Sequence, residues 1–447
     1  MTSTMADSPP TLDQPVESPE QKKQIRRVLL SSYLGSTVEF YDFLVYGTAA
    51  SLVFGQLFFS DLSPLMGTIM AFGTLAVGYV ARPLGGAVFG HFGDRLGRKR
   101  ILVLTMLLMG VASTCIGLLP TGETIGIAAP LLLVGLRIIQ GLAIGGEWGG
   151  ATLMALEHSA SGRRGFSVGI VNAGAPTGAV LAAAIMGLFS LLPEDQFLAW
   201  GWRIPFLISA VLVGVALWIR LGVHESPVFQ AAQQKTAAAA EQRRLPILDV
   251  LMRPKAVLLT TFSGVAPLAF QSLLATFALT FAVAGGVDRP TALFATASAS
   301  VLNIITLPIF AALSDRVGRR PVLITGLVLM GVLAYPVFSL IGSGDTLQVF
   351  LGYFIGYGLI VGLLLGTLSA FISEQFRTGS RYTGASLGYQ LGATIGAGFA
   401  PMIAANLLRS TGVHDAAPVA VFVATIAAIS IVAVLLTRES SRTTLIP

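Results

Sequence analysis

The chain has 447 residues, of which only 11% are charged and 54% hydrophobic, and its mean hydropathy is +0.78. Soluble domains carry roughly a quarter charged residues, so this composition excludes a soluble globular protein and reads as an integral membrane protein. The net charge of +6 raises nucleic acid as a partner, and the placement of the bases dismisses it. Of the 28 lysines and arginines, only Arg203, Arg289 and Arg409 fall on one side of the predicted bundle, and Arg82 and Arg137 lie within spans. The rest crowd the N-terminal segment, the even-numbered loops and the C-terminal tail, the positive-inside pattern that predicts both termini in the cytoplasm.

In chain order, residues 1–27 contain Pro and Ser, open acidic and lack an apolar core, so a disordered cytoplasmic tail is expected and no cleavable signal peptide. Runs of about 20 apolar residues mark spans. Twelve follow, near 28–54, 65–90, 101–119, 128–154, 166–192, 203–221, 256–284, 291–313, 321–341, 347–373, 383–408 and 416–437. The one sizeable hydrophilic segment, 222–255, divides them. The expectation is an all-α membrane protein of twelve transmembrane helices in two six-helix halves, 28–221 and 256–437, tethered by a cytoplasmic linker and ending in a cytoplasmic tail, 438–447.

The halves repeat one another. Gly90-His91-Phe92-Gly93-Asp94-Arg95-Leu96-Gly97-Arg98-Lys99-Arg100 returns as Ala311-Ala312-Leu313-Ser314-Asp315-Arg316-Val317-Gly318-Arg319-Arg320, each copy in the turn between two long apolar segments. Glu157-His158 to Arg164 before the fifth span likewise matches Glu374 to Arg381 before the eleventh. A duplicated membrane bundle implies a secondary transporter. The bases of the hairpins meet anionic headgroups, while an acid such as Asp94 can sit against the positive N-terminal end of a neighbouring helix and clamp one conformation. Asp94, Arg95, Arg98, Asp315, Arg316 and Arg319 are therefore the candidates for conformational control.

Glycines spaced by four, Gly86 and Gly90, Gly141 and Gly145, Gly174 and Gly178, Gly388 and Gly392, read as helix-packing positions. Acidic and basic residues inside the spans carry more information. Each costs on the order of 2.5 to 3.5 kcal/mol at the bilayer centre and needs a partner or a water-lined position. Glu39, Asp42, Arg82, Arg137 and Glu147 all belong to the first half, whereas the second offers only neutral polar groups at depth, among them Gln271, Asn303, Tyr357, Ser369, Tyr389 and Gln390.

Glu39 and Asp42 are three apart and share a helix face. Counting about 1.5 Å per residue, Glu39, Arg82 and Glu147 fall about 10 to 17 Å deep and can meet. Asp42 lies nearer the midplane, and Arg137 near the outer third. A carboxylate beside an arginine stays ionised, whereas one alone in apolar surroundings takes a proton more readily. Glu39, Asp42, Arg82 and Glu147 thus form a candidate proton-coupling group, the alternative being structural salt bridges that fix helix register. Arg137 is a candidate substrate anchor, with Tyr46, Gln140, Gln271, Asn303 and Gln390 as further substrate contacts.

The sequence contains no Gly-x-x-x-x-Gly-Lys-Ser/Thr phosphate loop and no His-Glu-x-x-His, and its four histidines are not placed as metal ligands. Its single cysteine, Cys115, excludes an intrachain disulfide and a cysteine-based metal cluster. An enzyme or ATP-driven pump is not expected, nor any cofactor, and no hydrophilic segment is long enough for a signalling domain.

The motif Gly-x-x-x-Asp-Arg-x-Gly-Arg-Lys-Arg between spans two and three resembles the signature of the major facilitator superfamily. Other segments resemble the metabolite:proton symporter family within it: Glu39-Phe-Tyr-Asp42-Phe, Ala81-Arg82-Pro83-Leu84-Gly85-Gly86, Arg137-Ile-Ile-Gln140-Gly141, Gly146-Glu147-Trp148-Gly149-Gly150, Gly201-Trp202-Arg203-Ile204-Pro205-Phe206, His224-Glu225-Ser226-Pro227-Val228-Phe229 and Arg381-Tyr382-Thr383-Gly384-Ala385-Ser386. The pattern is nearest the shikimate-transporter branch. The resemblance implies a monomer in the bacterial cytoplasmic membrane, with the major facilitator fold. It also implies proton-coupled uptake of a small carboxylate or, alternatively, of a zwitterion such as proline or betaine, for which Phe40, Tyr41 and Tyr46 offer cation-π contact. Gly174-Ala175-Pro176 departs from the antiporter signature, in which Gly and Pro are adjacent, and this weighs against drug-proton antiport.

Overall fold

The computed structural model describes the backbone of residues 19–96, 98–147, 164–221, 252, 254–376, 381–411 and 415–439. Among the described residues, ten helices are long and apolar enough to cross a membrane: α2 (Pro64–Gly86), α4 (Ala128–Gly145), α5 (Gly165–Phe189), α6 (Gly201–Trp218), α7 (Pro254–Ala284), α8 (Arg289–Val317), α9 (Arg319–Ile341), α10 (Thr346–Glu374), α11 (Thr383–Leu408) and α12 (Ala417–Leu436). The shorter apolar helix α3 (Val103–Leu118) and the long first helix α1 (Pro19–Leu52), which carries Glu39 and Asp42, complete the twelve read from hydropathy. One boundary differs. The fourth span was expected to run to 154, but α4 stops at Gly145, and Gly146 and Glu147 form a turn.

Helix ends follow local chemistry. Asp288 Oδ2 accepts from Thr291 N at 3.1 Å to start α8, and Asp345 Oδ1 accepts from Gln348 N at 2.9 Å to start α10, each satisfying an amide with no partner inside its own helix. Gly318, at φ +118°, makes the turn from α8 to α9, a conformation that favours glycine. Its counterpart in the first hairpin, Gly97, lies outside the described residues.

The two halves use the same helix pairs. Before Leu221, α1 packs on α5 and α2 on α4; after Pro254, α7 packs on α11 and α8 on α10. Backbone-to-backbone approach explains the glycines. A Cβ on Gly178 would stand 2.5 Å from Thr37 O, one on Gly366 2.5 Å from Leu307 O, and those on Gly141, Gly145 and Gly396 would overlap the carbonyls of Gly78, Arg82 and Val265. Lipid supplies no hydrophobic force between helices, so such close van der Waals contact holds them together. Across the halves, α5 packs on α8 and α2 on α11.

Three helices of the second half contain π-helical turns: Leu273–Phe277 in α7, Phe354–Val361 in α10 and Thr394–Gly398 in α11. A π turn disrupts the regular ladder and is frequent at functional sites. Hydroxyl and amide side chains reach carbonyls in each turn. Ser51 Oγ donates to Thr276 O at 2.9 Å, Asn303 Nδ2 to Tyr357 O at 2.6 Å, Thr306 Oγ1 to Gly358 O at 2.6 Å and Ser272 Oγ to Ala397 O at 2.9 Å.

Gly141→Val is expected to destabilise the fold by about 2 kcal/mol or more through overpacking against α2. Gly135→Val, on the same helix with nothing within 4 Å of its Cβ, is expected to change stability by less than about 1 kcal/mol. Thermal unfolding of the two purified variants in one detergent checks the contrast.

Candidate functional site

The centre of the first half is a series of alternating rings and guanidinium groups. Arg82 of α2 places its Cζ 4.1 Å from the centroid of Tyr79 and 4.4 Å from that of Phe43. Arg137 of α4 places its Cζ 4.4 Å from the Phe43 centroid and 4.1 Å from that of Tyr46. Phe43 is shared, and Tyr79 packs edge-on against it at 5.0 Å. Each guanidinium thus has two aromatic neighbours, which provide cation-π attraction where water is excluded.

Counting along the helices put Arg137 near the outer third, well away from Arg82. The structure draws the two together on one ring, because α2 and α4 are antiparallel and each long side chain spans more than a helical turn. Gly78 opens the space for Arg137, since a Cβ there would stand 2.5 Å from its Nε.

Arg137 is fully buried. Its Nη1 donates to Gln140 Oε1 at 2.9 Å, whereas Nε and Nη2 have no hydrogen-bond partner among the described residues. Nε and Nη2 form the edge of the guanidinium that binds a carboxylate through two parallel hydrogen bonds. Gln140 Nε2 in turn donates to Ser113 Oγ of α3 at 2.8 Å.

Ser113 and Ser209 of α6 face the carboxyl group of Asp42, which is fully buried and whose two oxygens have no hydrogen bond of normal geometry. A hydrogen-bonded chain therefore runs from Arg137 through Gln140 to Ser113, whose hydroxyl faces Asp42 without bonding to it. Glu39 and Glu147 are also buried, and each has a partner. Glu39, Arg82 and Tyr79 all lie within electrostatic range of Tyr389 on α11.

The other sequence candidates are distributed as follows. Tyr46 lies under Arg137 and its hydroxyl meets Thr74 Oγ1 at 2.5 Å. Gln140 commits both ends of its amide to Arg137 and Ser113. Asn303 ties α8 to the π turn of α10. Gln271 is half-buried and faces the Tyr357 hydroxyl. Gln390 is buried with Oε1 unpartnered among the described residues. Tyr41, considered for cation-π contact, points away and donates to Pro205 O at 2.7 Å.

Phe43, Tyr79, Ser113 and Ser209 were not singled out from sequence. Phe43 stands four residues after Glu39 and Tyr79 three before Arg82, so helical spacing from the charged positions was the available signal for both. Ser113 and Ser209 have no such signal.

At the basic end, Asp315 occupies the position envisaged for a hairpin acid. Its Oδ1 and Oδ2 accept from Gly165 N at 3.3 Å and Phe166 N at 3.2 Å, the first turn of α5, where the helix end is positive. Oδ1 also meets Arg319 Nη2 at 2.6 Å, and Arg319 Nη2 reaches Glu374 Oε1 at 3.2 Å. Arg319 is buried, whereas Arg316 is exposed. Glu439 accepts from Arg319 N at 3.0 Å and Arg320 N at 2.8 Å. The side chains of Asp94, Arg95 and Arg98 lie outside the described residues. At the opposite end Arg289 Nη2 meets Glu194 Oε1 at 3.1 Å, an ion pair between the halves.

Comparison with known proteins agrees with this architecture. Residues 28–245 match the sugar (and other) transporter family and residues 262–446 the major facilitator superfamily. The chain is 42% identical to the shikimate transporter of Escherichia coli K12, over 88% of this chain and 90% of that one. It is 40% identical to an inner membrane metabolite transport protein of the same strain, over 93% and 94%, and 33% identical to its proline/betaine transporter, over 87% and 79%. Among solved structures, a partially occluded inward-open conformation of the xylose transporter XylE superposes with a TM-score of 0.71 at 18% identity, covering 95% of this chain and 100% of that one. The paired helices, the repeated basic hairpin and these relatives together place the chain in the major facilitator superfamily, as a multi-pass membrane transporter of small metabolites and not an enzyme.

Proposed function

We propose that the protein is a proton-driven symporter that imports a small organic acid, of the kind its shikimate-transporting relative carries, by alternating access. The observation that carries this reading is the Nε and Nη2 edge of Arg137, unpartnered among the described residues and held between Phe43 and Tyr46, in the same half as the buried carboxyl of Asp42. A carboxylate fits that edge with two charge-assisted hydrogen bonds. The rings cover the guanidinium without competing for its protons.

Charge accounting supplies the proton. The described residues of the first half bury two arginines, Arg82 and Arg137, and three carboxyl groups, those of Glu39, Asp42 and Glu147. With all three ionised the set already carries one surplus negative charge, and an anionic substrate adds another in a low-dielectric bundle, which is strongly unfavourable. A proton taken by Asp42 or Glu39 cancels the charge that the anion adds, so anion and proton enter together. A zwitterion reading draws less support, because the rings of Phe43, Tyr46 and Tyr79 are already occupied by guanidinium groups and Tyr41 is bonded to Pro205.

Around this site the halves 28–221 and 256–437 act as the rocking units. Asp315 at the N-terminus of α5 is the latch at the basic end, with Arg319 orienting it and the hairpin of Asp94, Arg95 and Arg98 as its counterpart. Both termini are assigned to the cytoplasm of a bacterial cell, and the protein works as a monomer.

In proteoliposomes with an inward proton gradient, one acid from a labelled panel of shikimate, 2-oxoglutarate, citrate, proline and betaine is expected to accumulate, and collapse of the gradient to abolish accumulation. Asp42→Asn is expected to retain measurable exchange and lose gradient-driven accumulation. Arg137→Lys, which keeps the charge and removes the two-pronged edge, is expected to weaken substrate binding about tenfold or more. Accumulation of proline or betaine alone replaces the organic acid with a zwitterion. For the latch, Asp315→Asn is expected to raise hydrogen exchange at the Gly165 and Phe166 amides about tenfold or more, read by mass spectrometry in detergent.

A further inference from the structure

We propose that Pro83 and Thr394 form a switch between the halves, in which a backbone carbonyl of α2 changes partner as α2 and α11 part, an inference that rests on the rocking proposed above. Pro83 lies inside α2. It has no N–H, so the carbonyl four residues earlier, Tyr79 O, loses the donor that an unbroken helix supplies. A carbonyl left without a partner inside a bundle is costly. The missing proton comes from the other half: Thr394 Oγ1, in the π turn of α11, donates to Tyr79 O at 2.8 Å. Gly398, at the end of the same turn, lets α11 approach, since a Cβ there would stand 2.8 Å from Tyr79 Cβ.

The same hydroxyl has a second acceptor. Thr394 Oγ1 also reaches Gln390 O, one turn back on its own helix, at 2.8 Å, and a threonine hydroxyl has only one proton to give. With α2 and α11 together, that proton is shared between the two carbonyls. When the helices part it stays with Gln390 O, so Thr394 keeps a partner, and Tyr79 O takes its hydrogen bond from the water that enters between the halves. The contact therefore opens without stranding a donor or an acceptor. It also falls on the residue whose ring lies 4.1 Å from Arg82 Cζ, so closure of the halves and the packing of that guanidinium meet at Tyr79. An uninterrupted α2 has no free carbonyl to offer, and the switch needs both the proline and the hydroxyl.

The test measures the separation of the halves in the full-length protein reconstituted in nanodiscs. Spin labels are attached at Asp61→Cys and Asp415→Cys, exposed positions that precede α2 and follow α11, in a Cys115→Ser background, and pulsed dipolar spectroscopy gives the ratio of short to long distances. Thr394→Val, which keeps the branched shape and removes the proton, is expected to shift that ratio about fivefold toward the long distance. Thr394→Ser, which keeps the hydroxyl, is expected to stay within about twofold of wild type. In Pro83→Ala, which returns an N–H to Tyr79 O, adding Thr394→Val is expected to shift the ratio by less than about twofold, because the two changes act on one carbonyl.

An equal shift by Thr394→Val with Pro83 present and with Pro83→Ala overturns the proposal, since the hydroxyl then does not serve the carbonyl that the proline frees. Thermal unfolding run alongside separates a switch from packing: lower stability of Thr394→Val at the wild-type distance ratio assigns the bond to packing alone and rejects the switch. A single distance in the wild type, with and without substrate, removes the rocking of the halves and the proposal with it. Two distances in the wild type that do not respond to Thr394→Val reject the switch and leave the rocking in place.

Discussion

Two guanidinium groups are buried in a helical bundle that faces lipid, and much of the first half is arranged to make that possible. An isolated charge at this depth is too costly to keep, so Arg82 and Arg137 are covered by three aromatic rings, and Arg137 is joined to Gln140 at one edge. The arrangement dictates small residues where it needs space, as at Gly78 beside Arg137, and it fixes the approach of α4 to α2. It also leaves one edge of Arg137 open for a negatively charged group. The same desolvation that makes the arginines expensive makes them selective, because in low dielectric a carboxylate that completes the hydrogen bonds gains far more than one bound at a wet surface.

The second half solves a different problem. Lacking charge at depth, it relies on π turns in α7, α10 and α11, whose irregular backbones receive hydrogen bonds from Ser51, Asn303, Thr306 and Ser272. Two of these elements also touch the first half. Ser51 of α1 bonds to the α7 turn, and Thr394 in the α11 turn donates to Tyr79 O at 2.8 Å. Tyr79 thereby connects a helix of neutral character to the ring that holds Arg82. The contacts between the halves include single side-chain bonds of this kind, and the proposed rocking of the halves would exchange them.

The ends of the bundle differ in strength. At the basic end Arg319 is buried between Asp315 and Glu374, and Asp315 also takes the α5 amides, so several charge-assisted bonds break together. The pair of Arg289 and Glu194 at the other end is solvated, with Glu194 67% exposed, and pairs of that kind contribute at most about 1 kcal/mol. The contacts at the basic end are accordingly the stronger of the two sets.

The sequence by itself determined the twelve helices, their antiparallel order, the duplication and the concentration of charge in the first half. Each of these follows from hydropathy, which acts over about 20 residues at a time, and from motifs contiguous in the chain. Asp315 at a helix N-terminus was legible too, because both the repeat and the helix dipole pointed to such a contact. Only the tertiary structure decided which groups meet. Axial counting located α-carbons and missed that the side chains of Arg82 and Arg137 converge on Phe43. It gave no hint of Ser113 and Ser209, single hydroxyls in apolar helices that matter only because α3 and α6 bring them to Asp42. Nor did it show that Gln140 turns both ends of its amide inward. Contacts between helices depend on rotation about each axis and on side-chain reach, and neither is written in the composition of a span.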